Sequence, residues 1–210
     1  FLHGVFFVSL VGVDSETLLA TAVATACDLH FSGSQNPTAQ LFTFLRDREL
    51  LLVLDNFEHL LDESIWLVQL LQQAPGVKLL VTSREALNVQ WEKSLPLDGL
   101  TLPAHPLVTA AEATTYSALH LFTLRASVVR PDFALTEETI PCVSQICRLV
   151  EGMPLALELA AVTIRQYTCA ELVAAITQNL DILATSYRDM PPRHRSLRAV
   201  FDNVWLLLTP

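Results

Sequence analysis

Lysine and glycine are both scarce in this chain, with only Lys78, Lys93 and six glycines among 210 residues. Neither lysine follows a glycine-rich turn, and no G-x-G-x-x-G dinucleotide fingerprint is present. Also missing is G-x-S-x-G, or any spaced Ser/His/Asp set, so serine-hydrolase chemistry has no support. The six histidines (His3, His30, His59, His105, His120 and His194) are scattered without ligand spacing, which excludes a zinc site of the usual kind. Four cysteines, Cys27, Cys142, Cys147 and Cys169, form no C-x-x-C pair and stand in apolar helical contexts. Such thiols behave as small buried hydrophobes, and a reduced, cytoplasmic setting suits them better than a disulfide scaffold.

Uninterrupted apolar runs are short as well. None approaches the roughly 20 residues that a spanning helix needs, although the chain is 51% hydrophobic and only 17% charged. No membrane is expected as a partner. The formal net charge of −9 also argues against direct nucleic-acid binding, which requires clustered cations to neutralise phosphate. The best basic cluster, Arg193-His194-Arg195 with Arg198, reads as a solvated linker or helix start. The chain starts Phe-Leu-His and stops within an apolar pattern at Leu206–Pro210, as expected for a fragment cut at both ends.

What is present is a rhythm of strands and helices. Leu50–Leu54 is apolar on every side and reads as a strand buried on both faces in a parallel sheet. Gly4–Val13 and Val77–Val81 read as further strands, and Lys93–Leu97 as a fourth at the edge. Between them, Glu16–Leu29 follows an N-cap at Asp14 or Ser15, a short helix runs from Pro37 to near Arg48, and His59–Gln73 is amphipathic up to Pro75-Gly76. This alternation predicts a doubly wound α/β domain over residues 1–104. Beyond Pro103 and Pro106 the pattern is helical: Thr109–Val129, Thr136–Glu151, Pro154–Gln166 and Cys169–Leu180 predict a small all-α domain over 105–190. Residues 191–210 read as a linker, after Pro191-Pro192, and a further helix from Arg195 to Leu208.

Three short segments could carry chemistry. Asp55 follows the Leu50–Leu54 run directly, and open α/β sheets bind ligands beyond the carboxyl ends of their strands. A carboxylate there can hold Mg²⁺ against a phosphate, or Asp55 or Asn56 can simply cap the next helix. Thr82-Ser83-Arg84 ends the next strand on the same edge, offering two hydroxyls and a guanidinium for phosphate oxygens. Alternatively, Arg84 is a surface cation or pairs with Glu85 or Glu58. Glu58 can orient an attacking water, or serve the helix start through its charge. Gly152-Met153-Pro154 suits the end of one helix and the first turn of the next.

In order, LLLVLDNFEHLL, APGVKLLVTSREAL, VEGMPLALELAA and RHRSLRAVFDNVWLLL resemble the STAND class of P-loop NTPases. More narrowly, the chain is similar to the NB-ARC-like ATPase module of large bacterial transcriptional regulators. The resemblance implies that Leu50–Asp55 is a Walker B strand, with Asp55 helping to hold Mg²⁺. It also implies that Arg84 senses a γ-phosphate and that Pro154 of a G-x-P motif packs on adenine, with ATP or ADP between the two domains. Asn56, Thr82, Ser83 and Gly152 complete the implied nucleotide site, and Asp55, Glu58 and Arg84 its catalytic group. Further implied are a winged helix led in by RHRSLR, sensor repeats elsewhere in the parent protein, and homo-oligomer formation on activation.

The chain departs from that pattern in lacking the Walker A loop, G-x-x-x-x-G-K-[ST]. The expectation is that this loop and its strand precede Phe1, the missing strand lying between Val77–Val81 and Lys93–Leu97. The piece alone would then bind ATP weakly or not at all and be marginally stable. The expected function is an ATP/ADP switch module of a signalling or transcription-regulatory protein, the parent being a slow Mg²⁺-dependent ATPase. The alternative is a non-catalytic protein-interaction scaffold on the same fold.

Overall fold

A computed structural model describes residues 1–33, 36–105, 109–187, 190–191 and 194–200. Arg193 and the greater part of the helix expected over Arg195–Leu208 lie outside the described residues. The chain divides into two compact units, Phe1–Leu95 and Pro96–Pro210.

The first unit is α/β. Strands β1 (Val5–Ser9), β2 (Leu50–Asp55) and β3 (Val77–Val81) form a three-stranded parallel sheet in chain order. Phe7 stands opposite Val53 and Ser9 opposite Asp55, while Leu52 is opposite Leu79 and Val53 opposite Leu80. Helices α1 (Glu16–Ala26), α2 (Pro37–Leu45) and α3 (Ser64–Gln73) share one core with Leu50, Leu52 and Leu54. Right-handed crossovers between strands taken in sequential order place every connecting helix on the same face. The expectation that the β2 run is buried on both faces is therefore corrected. Leu51 and Val53 are only half-buried, and Val5, Phe7 and Leu80 beside them are 59%, 63% and 55% exposed.

Local chemistry sets the helix ends. Pro37 occupies the first turn of α2, and the Asn36 side chain accepts a hydrogen bond from the Thr38 N–H at 2.8 Å. Ser15 is the N-cap of α1, but its side chain makes no capping bond. α1 stops at Ala26, short of Leu29, because Asp28 turns left-handed at φ 56° and the Leu29 N–H returns to the Ala24 carbonyl at 2.8 Å. The amphipathic run from His59 is not one helix. A 3₁₀ segment over Glu58–Glu63 is interrupted by non-helical backbone at Leu60 before α3 begins, and this break carries Leu60 into the core.

Lys93–Leu97 forms no strand, contrary to expectation. Leu95 and Leu97 are 81% and 88% exposed. An extended segment gains its hydrogen bonds only from a ladder partner, and β3 takes none on its outer edge among the described residues.

The second unit is helical: α4 (Ala110–Ala113), α5 (Ser117–Val129), α6 (Ile140–Leu149), α7 (Pro154–Thr163) and α8 (Cys169–Gln178). The single helix expected over Thr109–Val129 is broken between α4 and α5, and α6 begins at Ile140 rather than Thr136. Leu119, Phe122, Ile140, Ile146, Leu157 and Leu172 centre its core, and Phe122 meets Phe133 edge-on at 5.9 Å. Thr101 and Ser117 exchange backbone-to-hydroxyl bonds, and Arg148 Nη2 donates to the Pro103 carbonyl at 3.1 Å. The segment up to Pro103 is thus built into the helical unit. No described helix is long and apolar enough to cross a membrane.

α8 opens on a capping box, in which Thr168 Oγ1 accepts from the Glu171 N–H while the Glu171 carboxylate accepts from the Thr168 N–H at 2.8 Å. The Thr168 backbone and hydroxyl bonds hold the Glu171 carboxyl below its ordinary value of 4.5. A depressed carboxyl stabilises the fold above its unfolded-state value, and that contribution fades as the pH falls through the folded value. Thr168→Ala removes the cap and the hydroxyl bond to the Glu171 carboxylate, and is accordingly expected to lower the urea midpoint at neutral pH. Urea midpoints at neutral pH and in acid check this, the gap between wild type and variant narrowing in acid.

Candidate functional site

The carboxyl ends of β2 and β3 bring six of the eight expected residues to one edge. Thr82, the first residue after β3, governs the arrangement. Its N–H bonds the Leu54 carbonyl at 3.0 Å and its carbonyl accepts from the Phe57 N–H at 2.9 Å, continuing the ladder past both strand ends. Its hydroxyl accepts from the Asn56 N–H at 2.9 Å and donates to Asp55 Oδ1 at 2.7 Å. Asn56 makes the turn possible with φ 73°, a left-handed conformation that Asn tolerates better than most residues.

Asp55 therefore does not cap the following helix. Its Oδ1 is engaged by a neighbouring strand, and its Oδ2 takes no hydrogen bond among the described residues. The 3₁₀ segment starts from Phe57 with no side-chain cap. A half-buried carboxylate with one oxygen anchored and one open suits a Mg²⁺ ion held by one protein carboxylate, phosphate oxygens and waters. No group of three or more His, Cys, Asp or Glu side chains that could hold a metal occurs among the described residues, so an all-protein metal cage does not fit.

Arg84 pairs with Glu58, Nε to Oε1 at 3.3 Å, which is one of the alternatives weighed from the sequence. The Glu58 side chain is 10% exposed and that of Arg84 is 42%. Ser83 Oγ accepts from the Glu85 N–H at 3.3 Å. Gly152 and Pro154 stand in the other unit, at the α6–α7 junction. Gly152 has φ 67° and is buried, and Pro154 opens α7 in an exposed position. The Gly152 carbonyl accepts from the Leu100 N–H at 2.8 Å.

Sequence reasoning missed two residues at the sheet edge. Ser9 ends β1 as the register partner of Asp55, and adjacent parallel partners share a face. The run stays apolar past Ser9 to Val13, so the sequence does not mark Ser9 as a strand end. His59 Nε2 lies 2.7 Å from the Val13 carbonyl, tying the 3₁₀ segment to the loop after β1; no local pattern announces that contact. Cys27 and Cys147 are buried as expected, whereas Cys142 and Cys169 are only half-buried. All four are free, and burial pushes each thiol up, that of Cys147 to about 12. None is a thiolate nucleophile at neutral pH.

The site thus belongs to a parallel-sheet α/β unit with a carboxylate, hydroxyls and an ion pair at its carboxyl edge, followed by a helical unit. The chain is 32% identical over 207 residues to proteins of Mycobacterium bovis and Mycobacterium tuberculosis that bear the provisional name HTH-type transcriptional regulator. That match takes in 98% of this chain and 22% of each relative. It is also 31% identical over 185 residues to an uncharacterized protein of Mycobacterium tuberculosis, covering 88% of this chain and 44% of that protein. The chain therefore spans less than half the length of these curated relatives. No family model and no solved structure matches it.

Proposed function

We propose that this chain is the ATP/ADP-binding switch module of a larger transcription-regulatory protein of the STAND type, with the β2 end serving as its Walker B strand. The observation that carries the reading is the Asp55–Thr82 arrangement. It fixes a carboxylate at the carboxyl edge of the central parallel strand with one oxygen anchored and the other open. Ligands of open α/β sheets bind at such edges. The names of the mycobacterial relatives support a regulatory role.

In this reading Asp55 would hold Mg²⁺, which when bound neutralises charge on the phosphates. Thr82 keeps the Asp55 carboxylate in one rotamer. Asn56 and Ser83 face the phosphates from the same edge, and Arg84 serves the outermost one. Any role of Gly152 and Pro154 in nucleotide binding rests on the resemblance alone. The phosphate loop would come from another part of the protein, and the cytoplasm is the natural compartment for such a switch.

In the complete protein, Asp55→Ala should lower Mg²⁺-dependent ATP hydrolysis by roughly 100-fold while weakening ADP binding, measured without Mg²⁺, by no more than about threefold. Steady-state hydrolysis and calorimetric titration of the same preparation decide it. Equal loss of both would count against the metal-ligand role.

A further inference from the structure

The contact between Glu58 and Arg84 has an asymmetry that bears on which nucleotide is preferred. The Glu58 side chain is largely withdrawn from water, whereas that of Arg84 is close to half exposed. Among the described residues Arg84 is the only polar side-chain partner of Glu58. The less exposed side chain gives up more when the pair opens, while the more exposed arginine can turn to water. Glu58 is thus the anchor of the pair and Arg84 the mobile member. The closest approach, Nε to Oε1 at 3.3 Å, is longer than the short charge-assisted bonds that make an arginine fork hardest to break.

We infer that Glu58 is a specificity-determining residue, holding Arg84 back so that only a ligand with a third phosphate at this edge can draw it away. The inference rests on the proposed nucleotide-switch reading and names its selectivity. Asp55 and Thr82 keep their mutual bond in this arrangement, because neither takes part in the Glu58–Arg84 contact. Holding Arg84 weakens the binding of a nucleoside triphosphate, which must displace Glu58. A diphosphate, which does not reach Arg84, is unaffected. Glu58 therefore sets the ATP-to-ADP ratio at which the module changes state.

The test measures ATP and ADP affinities of the complete protein by calorimetry with Mg²⁺ present, for wild type, Glu58→Gln, Arg84→Gln and the double variant. Glu58→Gln keeps the shape and removes the charge, and should tighten ATP binding by roughly five- to fifty-fold. ADP affinity should move by less than about twofold. Adding Arg84→Gln should abolish the gain. ADP affinity also reports that each variant is folded. If Glu58→Gln loses it, Glu58→Asp, whose shorter side chain slackens the contact, carries the same comparison with a smaller expected ratio change. An unchanged ATP-to-ADP ratio in the folded variant, or a gain that survives without Arg84, overturns the inference and leaves the nucleotide reading standing. Failure of the wild-type protein to bind either nucleotide overturns both.

Discussion

Phe57→Ala is expected to destabilise the sheet unit by about 3–5 kcal/mol, the range for emptying a fully buried aromatic position. Phe57 is 0% exposed and is among the largest side chains fully removed from water. It is also two residues from Asp55 and one from Glu58, and its N–H bonds the Thr82 carbonyl at 2.9 Å. Its ring is therefore the packing anchor of the turn that presents the carboxylates. Removing it leaves a cavity on the core side, and the turn loses the wedge that fixes where β2 ends. The expected result is a large fall in the urea midpoint, with amide hydrogen exchange accelerated over Leu50–Asp55. Phe57→Leu, which keeps most of the volume, should lose much less. If Phe57→Ala were nearly neutral, the site would not be braced from the core.

Gly152→Ala is expected to have a comparable effect on the helical unit, about 2–5 kcal/mol from two separate costs. The first is conformational, because Gly152 has φ 67°, in the left-handed region that a side chain disfavours. The second is steric. A Cβ there would stand 2.4 Å from the Leu100 carbonyl oxygen and 3.0 Å from its nitrogen, both backbone atoms that cannot swing aside. Gly99 faces the same crossing from the other strand of chain, where a Cβ would meet the Glu151 carbonyl oxygen at 2.2 Å. The two backbones are thus in contact, tied by the Leu100 N–H to the Gly152 carbonyl. Thermal unfolding followed by helical circular dichroism should show the loss. Pro154→Ala, at an exposed first-turn position, should change stability far less. The contrast separates the packing role of the glycine from any ligand contact made by the proline.

The strands were legible as apolar runs although one face of the sheet is largely exposed, and the expected Gly4–Val13 overshot β1, which ends at Ser9. β3 matches its expected range of Val77–Val81, and β2 extends the expected Leu50–Leu54 by Asp55. Helix positions were legible from periodicity, but their ends were not. The break at Leu60 and the left-handed turn at Asp28 answer to packing that a local pattern does not encode. Lys93–Leu97 was misread because apolar, extended-prone residues satisfy a strand pattern whether or not a partner strand is at hand. At the site, Asp55 and Arg84 stood out as polar residues ending apolar runs, and their shared edge followed from parallel pairing. Which partner each would take was open.

By itself, the sequence determined that a strand of five apolar residues ends at Asp55 and a second ends before Thr82-Ser83-Arg84. Periodicity and side-chain type are properties of neighbouring residues, so they survive without coordinates. Only the tertiary structure decided that Thr82 reaches across 27 positions to hold Asp55 Oδ1, that Arg84 rests on Glu58, and that Gly152 is shaped by Leu100. Those choices depend on strand register and on backbones from distant parts of the chain meeting at van der Waals distance. No local pattern carries that information.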